Sequence, residues 1–280
     1  MTATATYHLM RSSREQALQW SQQFDRDGYI VVRGLMSPDE VAAIRDKFDA
    51  IGAEGKPIPG YWEPRTGADA DPLARFPRVM HPHRFNDLSK RMMLHAGVHD
   101  VLAAAMGEEP VACQSMFYFK PPGAKGQALH QDNFYLRVSP GTCVAAWTAI
   151  DPAVTSNGGL YVVPGSHRMD IVCPEAADAR ESFTTHLVKA PAGMKAVPAD
   201  LQPGDVLFFN GSLIHGSGPN RSATQWRRSF ICHYMPASTT HVSEHYFPIF
   251  DFTGREISYA AATGGGPCGE LFPDKYDPIH

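Results

Sequence analysis

After Gly107 the chain breaks into short β-rich runs separated by turn signals, and no other feature constrains its fold as strongly. "VACQSMFYFK" (111–120), "TCVAAWTAI" (142–150), "GLYVV" (159–163), "DVLFFN" (205–210) and "RSFICHY" (228–234) are the runs, and "PPG", "SPG", "SNGG", "PGSH", "QPGD" and "NG" punctuate them. Short strands in this succession predict an all-β sandwich or barrel.

Ahead of these runs the pattern is helical. "FDRDGYIVVRGLMSPDEVAAIRDKF" predicts a polar turn, a strand at Tyr29–Val32 and a helix starting after Ser37. Ser37 with Glu40 forms a capping box, Pro38 suits the first helical position, and Val41, Ile44 and Phe48 keep an apolar stripe. A second helical pattern runs from Asn86 to Met106 and ends at Gly107. Between them, residues 54–85 are rich in Gly, Pro and Arg without a clear period, and they group Arg75, Arg78, Arg84, His81 and His83. This stretch reads first as a solvated loop, with an anion-binding lid as the alternative. Two insertions, 167–203 and the tail 236–280, are placed to close over one mouth of a barrel. No internal repeat is visible. The expected organisation is a single domain over residues 1–280: a helical part to about 107, a β core over about 108–236, and a tail over 237–280.

Composition bounds the function. With 280 residues, 43% of them hydrophobic, the chain can bury a sizeable core. A formal charge of −4 spread along the chain gives no footprint for nucleic acid or an anionic membrane surface. The cysteines (Cys113, Cys143, Cys173, Cys232 and Cys268) are odd in number, scattered, and without a C-x-x-C pair. Neither a disulfide framework nor a structural zinc site is expected, and a reducing cytoplasmic setting is. No apolar run approaches membrane-spanning length. The expected partner is a small molecule, and the oligomeric state stays open.

Chemistry concentrates in "GQALHQDNFYL" (126–136). If this run is a strand, His130 and Asp132 point to one face and Gln131 to the other. Downstream, "LFFNGSLIHGSGPNRS" offers His215 just before a glycine turn that permits close approach. Two imidazoles and a carboxylate make the facial triad that holds non-haem Fe(II) with positions left open, so iron is the expected metal. A His-x-Asp pair alone is weak, since a histidine beside a carboxylate is common. His95 and His99 lack the glutamate of an H-E-x-x-H helix and read as a surface pair. In "QWRRSFICHY", alternation puts Arg227, Ser229, Ile231 and His233 on one face, and Arg228, Phe230, Cys232 and Tyr234 on the other. An inward arginine needs an anion, and its planar fork matches a carboxylate.

"FDRDGYIVVRGL", "KPPG", "LHQDNFY", "AWTAID", "NGGLYVVPGSHR", "GDVLFFNGSLIHGSGPNRS" and "RRSFICHY", in that order over residues 24–234, resemble the phytanoyl-CoA dioxygenase family of Fe(II)/2-oxoglutarate oxygenases. The resemblance implies a mainly β fold with flanking helices, whose core is a double-stranded β-helix (a cupin-like jelly roll) behind N-terminal helices. It implies that His130, Asp132 and His215 ligate iron, and that an arginine a dozen residues after His215 binds the distal carboxylate of 2-oxoglutarate. Arg227 lies seven residues before Tyr234, as the family's arginine lies before an aromatic, so it is chosen over Arg228. By the same matching Ser217 looks like a second partner of that carboxylate, and Met116, Gln131 and Trp147 resemble residues around the cosubstrate.

The implied reaction consumes 2-oxoglutarate and O2, releases succinate and CO2, and oxidises an unactivated C–H bond of a small metabolite. Asp132 favours hydroxylation, because related halogenases carry a small residue there. Nothing in the sequence argues for a CoA thioester. Gln114 and Tyr118, which share a strand face with Met116, and Asn133 beside the metal motif are candidate substrate contacts. The alternative is a cupin-like metal protein or isomerase without 2-oxoglutarate turnover, against which Arg227 speaks; a hydroxylase of protein side chains is a third reading.

Overall fold

The capping box at Ser37 forms as its spacing predicts: the Ser37 N–H donates to Glu40 Oε2 at 2.8 Å, and the Glu40 N–H donates to Ser37 Oγ at 3.3 Å. The computed structural model describes residues 13–65, 67 and 71–262. Its first elements are α1 (Arg14–Asp27), β1 (Tyr29–Val32) and α2 (Pro38–Glu54). Val41, Ile44 and Phe48 are buried on the inner face of α2, and Phe48 stacks on Phe117 with ring centroids 4.0 Å apart.

The stretch 54–85 departs from the solvated loop expected of it. It contains a single helical turn, α3 (Pro72–Arg75), and a short strand, β2 (Val79–Met80). Trp62 is 2% exposed, its indole N–H donates to the Pro77 carbonyl, and Val79 and Met80 are buried. A few isolated apolar anchors hold this segment, too sparse to produce a period in the sequence. The helical pattern over 86–106 is two helices, α4 (Asp87–Met93) and α5 (Ala96–Met106). His95 interrupts it because its Nδ1 accepts the Gly97 N–H and caps the second helix. His95 also lies 3.3 Å from Glu40, and His99 is held by Asp100 and Glu109.

The chain then lays down β3 (Pro110–Tyr118), β4 (Gln127–His130), a helical turn α6 (Asn133–Leu136), β5 (Val144–Ala149) and β6 (Leu160–Val162). After the hairpin of β7 (Glu175–Ala176) and β8 (His186–Leu187) come β9 (Val197–Ala199), β10 (Val206–Asn210), β11 (His215–Ser217) and β12 (Ser229–Pro236). The last elements are β13 (His241–Val242), β14 (Ile249–Phe250), β15 (Glu256–Ile257) and β16 (Ala260–Ala261). Each of the five sequence runs becomes a strand (β3, β5, β6, β10 and β12).

Most of these strands form two antiparallel sheets, while β7 and β8 pair only with each other and β13 pairs β16 in parallel. The larger has the order β1-β10-β5-β12-β3-β14-β15 with β2 paired to β3, and the smaller is β4-β11-β6-β9. Alternation sorts the side chains: Met116, Trp147, Leu207, Phe209 and Ile231 of the large sheet pack with Leu160 and Val162 of the small one. Phe117, Ala146, Phe208, Phe230, Cys232 and Tyr234 face the other way, onto the helical layer. The result is the jelly roll with N-terminal helices, mainly β.

The two insertions do more than flank a mouth. Segment 167–203 supplies β9, which completes the small sheet beside β6, and the tail supplies β14 and β15 to the large sheet. Sheet edges leave backbone donors and acceptors open, and these segments satisfy them. Cys113, Cys143 and Cys232 are free and buried, but Cys173 is disulfide-bonded, which removes the cysteine argument for a reducing compartment. No helix of the described residues is long and apolar enough to cross a membrane.

Candidate active site

His130 ends β4 and His215 opens β11, and the two are direct partners across the antiparallel pair, with ring centroids 4.2 Å apart. The glycine after His215 makes this pairing possible, since a Cβ at Gly216 would stand 2.8 Å from the Gln127 carbonyl oxygen. Asp132 reaches the same point by another route than the one its spacing suggests. The strand stops at His130, and Asp132 lies in helical backbone (φ −63°, ψ −36°) at the start of α6. The turn, not strand alternation, returns its carboxylate to the imidazoles: Asp132 Oδ1 is 3.3 Å from His130 Nε2 and 3.5 Å from His215 Nε2.

All three residues are buried, and their ligand atoms lie within 4.8 Å of one another. His130 Nδ1 is 2.8 Å from the Ala128 carbonyl and His215 Nδ1 is 2.9 Å from the Leu213 carbonyl. A carbonyl only accepts, so each Nδ1 carries the proton and each Nε2 turns a lone pair toward the carboxylate. Burial pushes the His215 pKa down to about 4, so this imidazole is neutral at neutral pH. Burial opposes ionisation of Asp132, but the surrounding imidazoles, with the His233 Nε2–H bonded to its Oδ2, outweigh it and hold the carboxyl well below its usual range. Lone pairs converging on a carboxylate oxygen repel unless a cation lies among them, so these donors fit a divalent metal.

Alternation in β12 holds as the sequence predicts. Arg227, Ile231 and His233 line one pocket with the three ligand residues, together with Met116, Tyr118, Trp147 and Ser217. Arg227 is 3% exposed; its Nε donates to the Gly158 carbonyl, its Nη1 to Ser229 Oγ, and its guanidinium carbon lies 5.2 Å from the Trp147 ring centroid. Burial lowers its pKa to about 10, so it stays charged at neutral pH. Arg228 faces the helical side and forks onto Asp151, with Nε to Oδ2 at 2.8 Å and Nη2 to Oδ1 at 2.9 Å.

Two of the residues read from the sequence belong elsewhere. Gln131 points away from the pocket: its amide donates to the carbonyls of Ser212 and Asp170, and its Oε1 accepts the Val172 N–H. It is a brace for the insertion, as expected of a residue alternating with His130. Asn133 closes the turn after α6, exchanging hydrogen bonds with both backbone groups of Val138. Tyr118 is in the pocket wall, and its hydroxyl accepts from Arg78 Nη1 at 2.8 Å. Gln114 pairs with His233 across β3 and β12, fully buried, and neither its Oε1 nor its Nε2 has a hydrogen-bond partner.

Sequence reasoning missed the roles of His233 and Lys120. His233 Nε2 donates to Asp132 Oδ2 at 2.9 Å, which leaves Oδ1 as the oxygen that faces the imidazoles. Its position on the Arg227 face was the available signal. Lys120, in "KPPG", is buried with its ammonium beside Ser217; nothing in its local pattern distinguishes it from a turn lysine.

A family model for "Phytanoyl-CoA dioxygenase (PhyH)" matches residues 24–229. "Phytanoyl-CoA dioxygenase 1" of Oryza sativa subsp. japonica is 27% identical over 230 residues, covering 71% of this chain and 82% of its own. Among solved structures, the epimerase SnoN in complex with Fe3+, alpha ketoglutarate and nogalamycin RO is 23% identical with a TM-score of 0.63, covering 80% of this chain and 85% of its own. EctD from S. alaskensis is 22% identical with a TM-score of 0.64, over 85% and 81%. At these identities the structural likenesses concern the fold.

Proposed function

The chain belongs to the phytanoyl-CoA dioxygenase family, and from that premise we propose that it is an Fe(II)- and 2-oxoglutarate-dependent dioxygenase that hydroxylates an unactivated C–H bond of a small metabolite. The observation that carries this reading is the meeting, in one buried pocket, of the His130–Asp132–His215 cluster and an arginine whose hydrogen bonds go to a carbonyl and a hydroxyl but to no carboxylate. A buried guanidinium without an acid is costly, and a dicarboxylate cosubstrate removes that cost.

His130 Nε2, Asp132 Oδ1 and His215 Nε2 would hold the iron. When bound, the metal supplies the redox chemistry that couples conversion of 2-oxoglutarate and O2 to succinate and CO2 with insertion of the second oxygen atom into a C–H bond. The protein contributes placement. Arg227 and Ser217 grip the distal carboxylate, Trp147 and Met116 wall the carbon chain, and His233 fixes which Asp132 oxygen is free. Leu160, Phe209 and Ile231 line the same pocket and exclude water from it.

His233 gives the substrate reading its chemistry. It lines the pocket and donates through Nε2, so its Nδ1, buried and unpartnered, is an acceptor, with the buried Gln114 amide beside it across the strand pair. A substrate presenting a hydrogen-bond donor, such as a hydroxyl or an amide N–H, matches that acceptor. The test is succinate formation from 2-oxoglutarate by anaerobically iron-loaded protein after admission of O2, first without substrate and then with a panel of polar metabolites. Slow uncoupled turnover, accelerated by a hydroxylated or amide-bearing compound, is expected. Absence of succinate in every condition would point instead to the cupin-like alternative.

A further inference from the structure

We propose that Lys120 is a positioning residue for the cosubstrate: it turns the Ser217 hydroxyl into an obligate donor and, with Arg227, makes the end of the pocket selective for a 2-oxo acid carrying a second carboxylate. This rests on the 2-oxoglutarate reading above and goes beyond it.

Lys120 is 2% exposed and lies just past the end of β3 with φ +37°, a left-handed conformation uncommon for a side-chain-bearing residue. Its Nζ donates to the Gly158 carbonyl at 3.1 Å, the Gly218 carbonyl at 2.6 Å and Ser217 Oγ at 2.9 Å. Those acceptors take all three N–H bonds of the protonated group, which therefore reaches nothing in the pocket directly. Its effect passes through Ser217. The Ser217 oxygen accepts from Lys120 Nζ and, at 3.3 Å, from the Gln127 N–H. A hydroxyl oxygen has two acceptor positions, and both are taken; its own proton is left to point at an acceptor in the pocket that Ser217 lines.

Gly158 joins this arrangement to Arg227. One carbonyl oxygen accepts from both cations, Lys120 Nζ and Arg227 Nε, each at 3.1 Å. The approach demands glycine: with φ +81°, a Cβ at Gly158 would lie 2.6 Å from Lys120 Cε and 2.7 Å from the Gly218 oxygen. Two buried basic groups therefore share a neutral acceptor, and burial together with Arg227 pushes the Lys120 pKa well below the ordinary lysine range, against the charged form. An incoming carboxylate relieves that repulsion. Arg227 alone would suffice to bind an acid; the second charge and the fixed hydroxyl favour a full carboxylate over an amide or ester at the same place.

The experiment is equilibrium binding by calorimetry to the full-length, anaerobic Fe(II)-loaded protein, with 2-oxoglutarate and with 2-oxobutyrate, which lacks the distal carboxylate. Lys120→Met should weaken 2-oxoglutarate about tenfold or more, as for loss of a charged hydrogen bond, while 2-oxobutyrate changes less than about twofold. Lys120→Gln keeps donors for the two glycine carbonyls without the charge, and should show the same selective loss if Lys120→Met does not fold. Combined with Ser217→Ala, the losses should multiply to less than their product, because one acts through the other. Equal weakening of both acids, or none of either, overturns the proposal and leaves Lys120 as a loop staple. If wild-type protein binds neither acid, the cosubstrate reading fails and this proposal with it.

Discussion

Arg227 and Arg228 are neighbours in sequence and face opposite sides of one strand, the first beneath Trp147 in the pocket and the second forked onto Asp151 toward the helices. Their separation makes them a matched pair for testing. Arg227→Lys keeps the charge and loses the fork, and the apparent affinity for 2-oxoglutarate should fall by about 1–3 kcal/mol, roughly five- to a hundredfold. Arg228→Lys should leave that affinity within about 0.5 kcal/mol while lowering the melting temperature, because it breaks a bidentate pair. Succinate formation against cosubstrate concentration, alongside thermal melts, reads both. A reversed pattern would put the register of β12 off by one residue.

Removal of any member of the triad should cost metal or turnover. His130→Ala and His215→Ala should each retain fold by circular dichroism yet carry little iron after anaerobic loading and desalting, since two remaining ligands hold a divalent ion poorly, and Asp132→Ala should abolish hydroxylation. Stoichiometric iron in either histidine variant, or full hydroxylation by Asp132→Ala, would place the site elsewhere.

His233 supports the triad from behind. With the 2.9 Å bond to Asp132 Oδ2 removed, His233→Ala should weaken Fe(II) about 10- to 100-fold, the range typical for partners of ligating groups. A chelator competition assay measures it. Unchanged affinity would mean the carboxylate is oriented without this bond.

Gln131 makes the opposite prediction. Gln131→Ala should leave cosubstrate affinity unaltered and destabilise the protein by about 1–3 kcal/mol, because the Val172 N–H and the Ser212 carbonyl lose buried partners. A thermal melt should show the loss while a binding isotherm does not.

Asp205 sets an acid limit. It accepts the Gly34 and Gln202 N–H groups and pairs with Arg33. Burial works against its ionisation, but these bonds win and hold its pKa below the usual value. With the folded pKa depressed, the stabilisation is full above about pH 4, the unfolded value, and is lost as pH falls through the folded one. The melting-temperature gap between wild type and Asp205→Asn should be widest near neutrality and close under acid conditions; a gap independent of pH would contradict it.

The strands and the helix caps were legible because each rests on local chemistry: glycine turns, the Ser37–Glu40 box, the two-residue period of β12. The triad was legible for a different reason. His130, Asp132 and His215 are recognisable as a chemical set, even though the backbone brings Asp132 in through a helical turn that periodicity does not reveal. What stayed hidden depends on contacts far apart in the chain. Trp62 and Val79 anchor a segment with no period, His95 acts as a cap within an otherwise helical pattern, and Lys120 meets Ser217 across almost a hundred residues.

The metal-facing imidazoles come from the small sheet, on β4 and β11, whereas Arg227 enters from the approach to β12 in the large one. Ser217, on β11 of the small sheet, and Arg227, beside the large one, therefore face one pocket from both sheets, with Leu160, Ile231 and Trp147 packed in the core between them. The proposed grip on the distal carboxylate is thus set by how the two sheets pack, and a substitution in that core, touching neither gripping residue, should alter cosubstrate affinity.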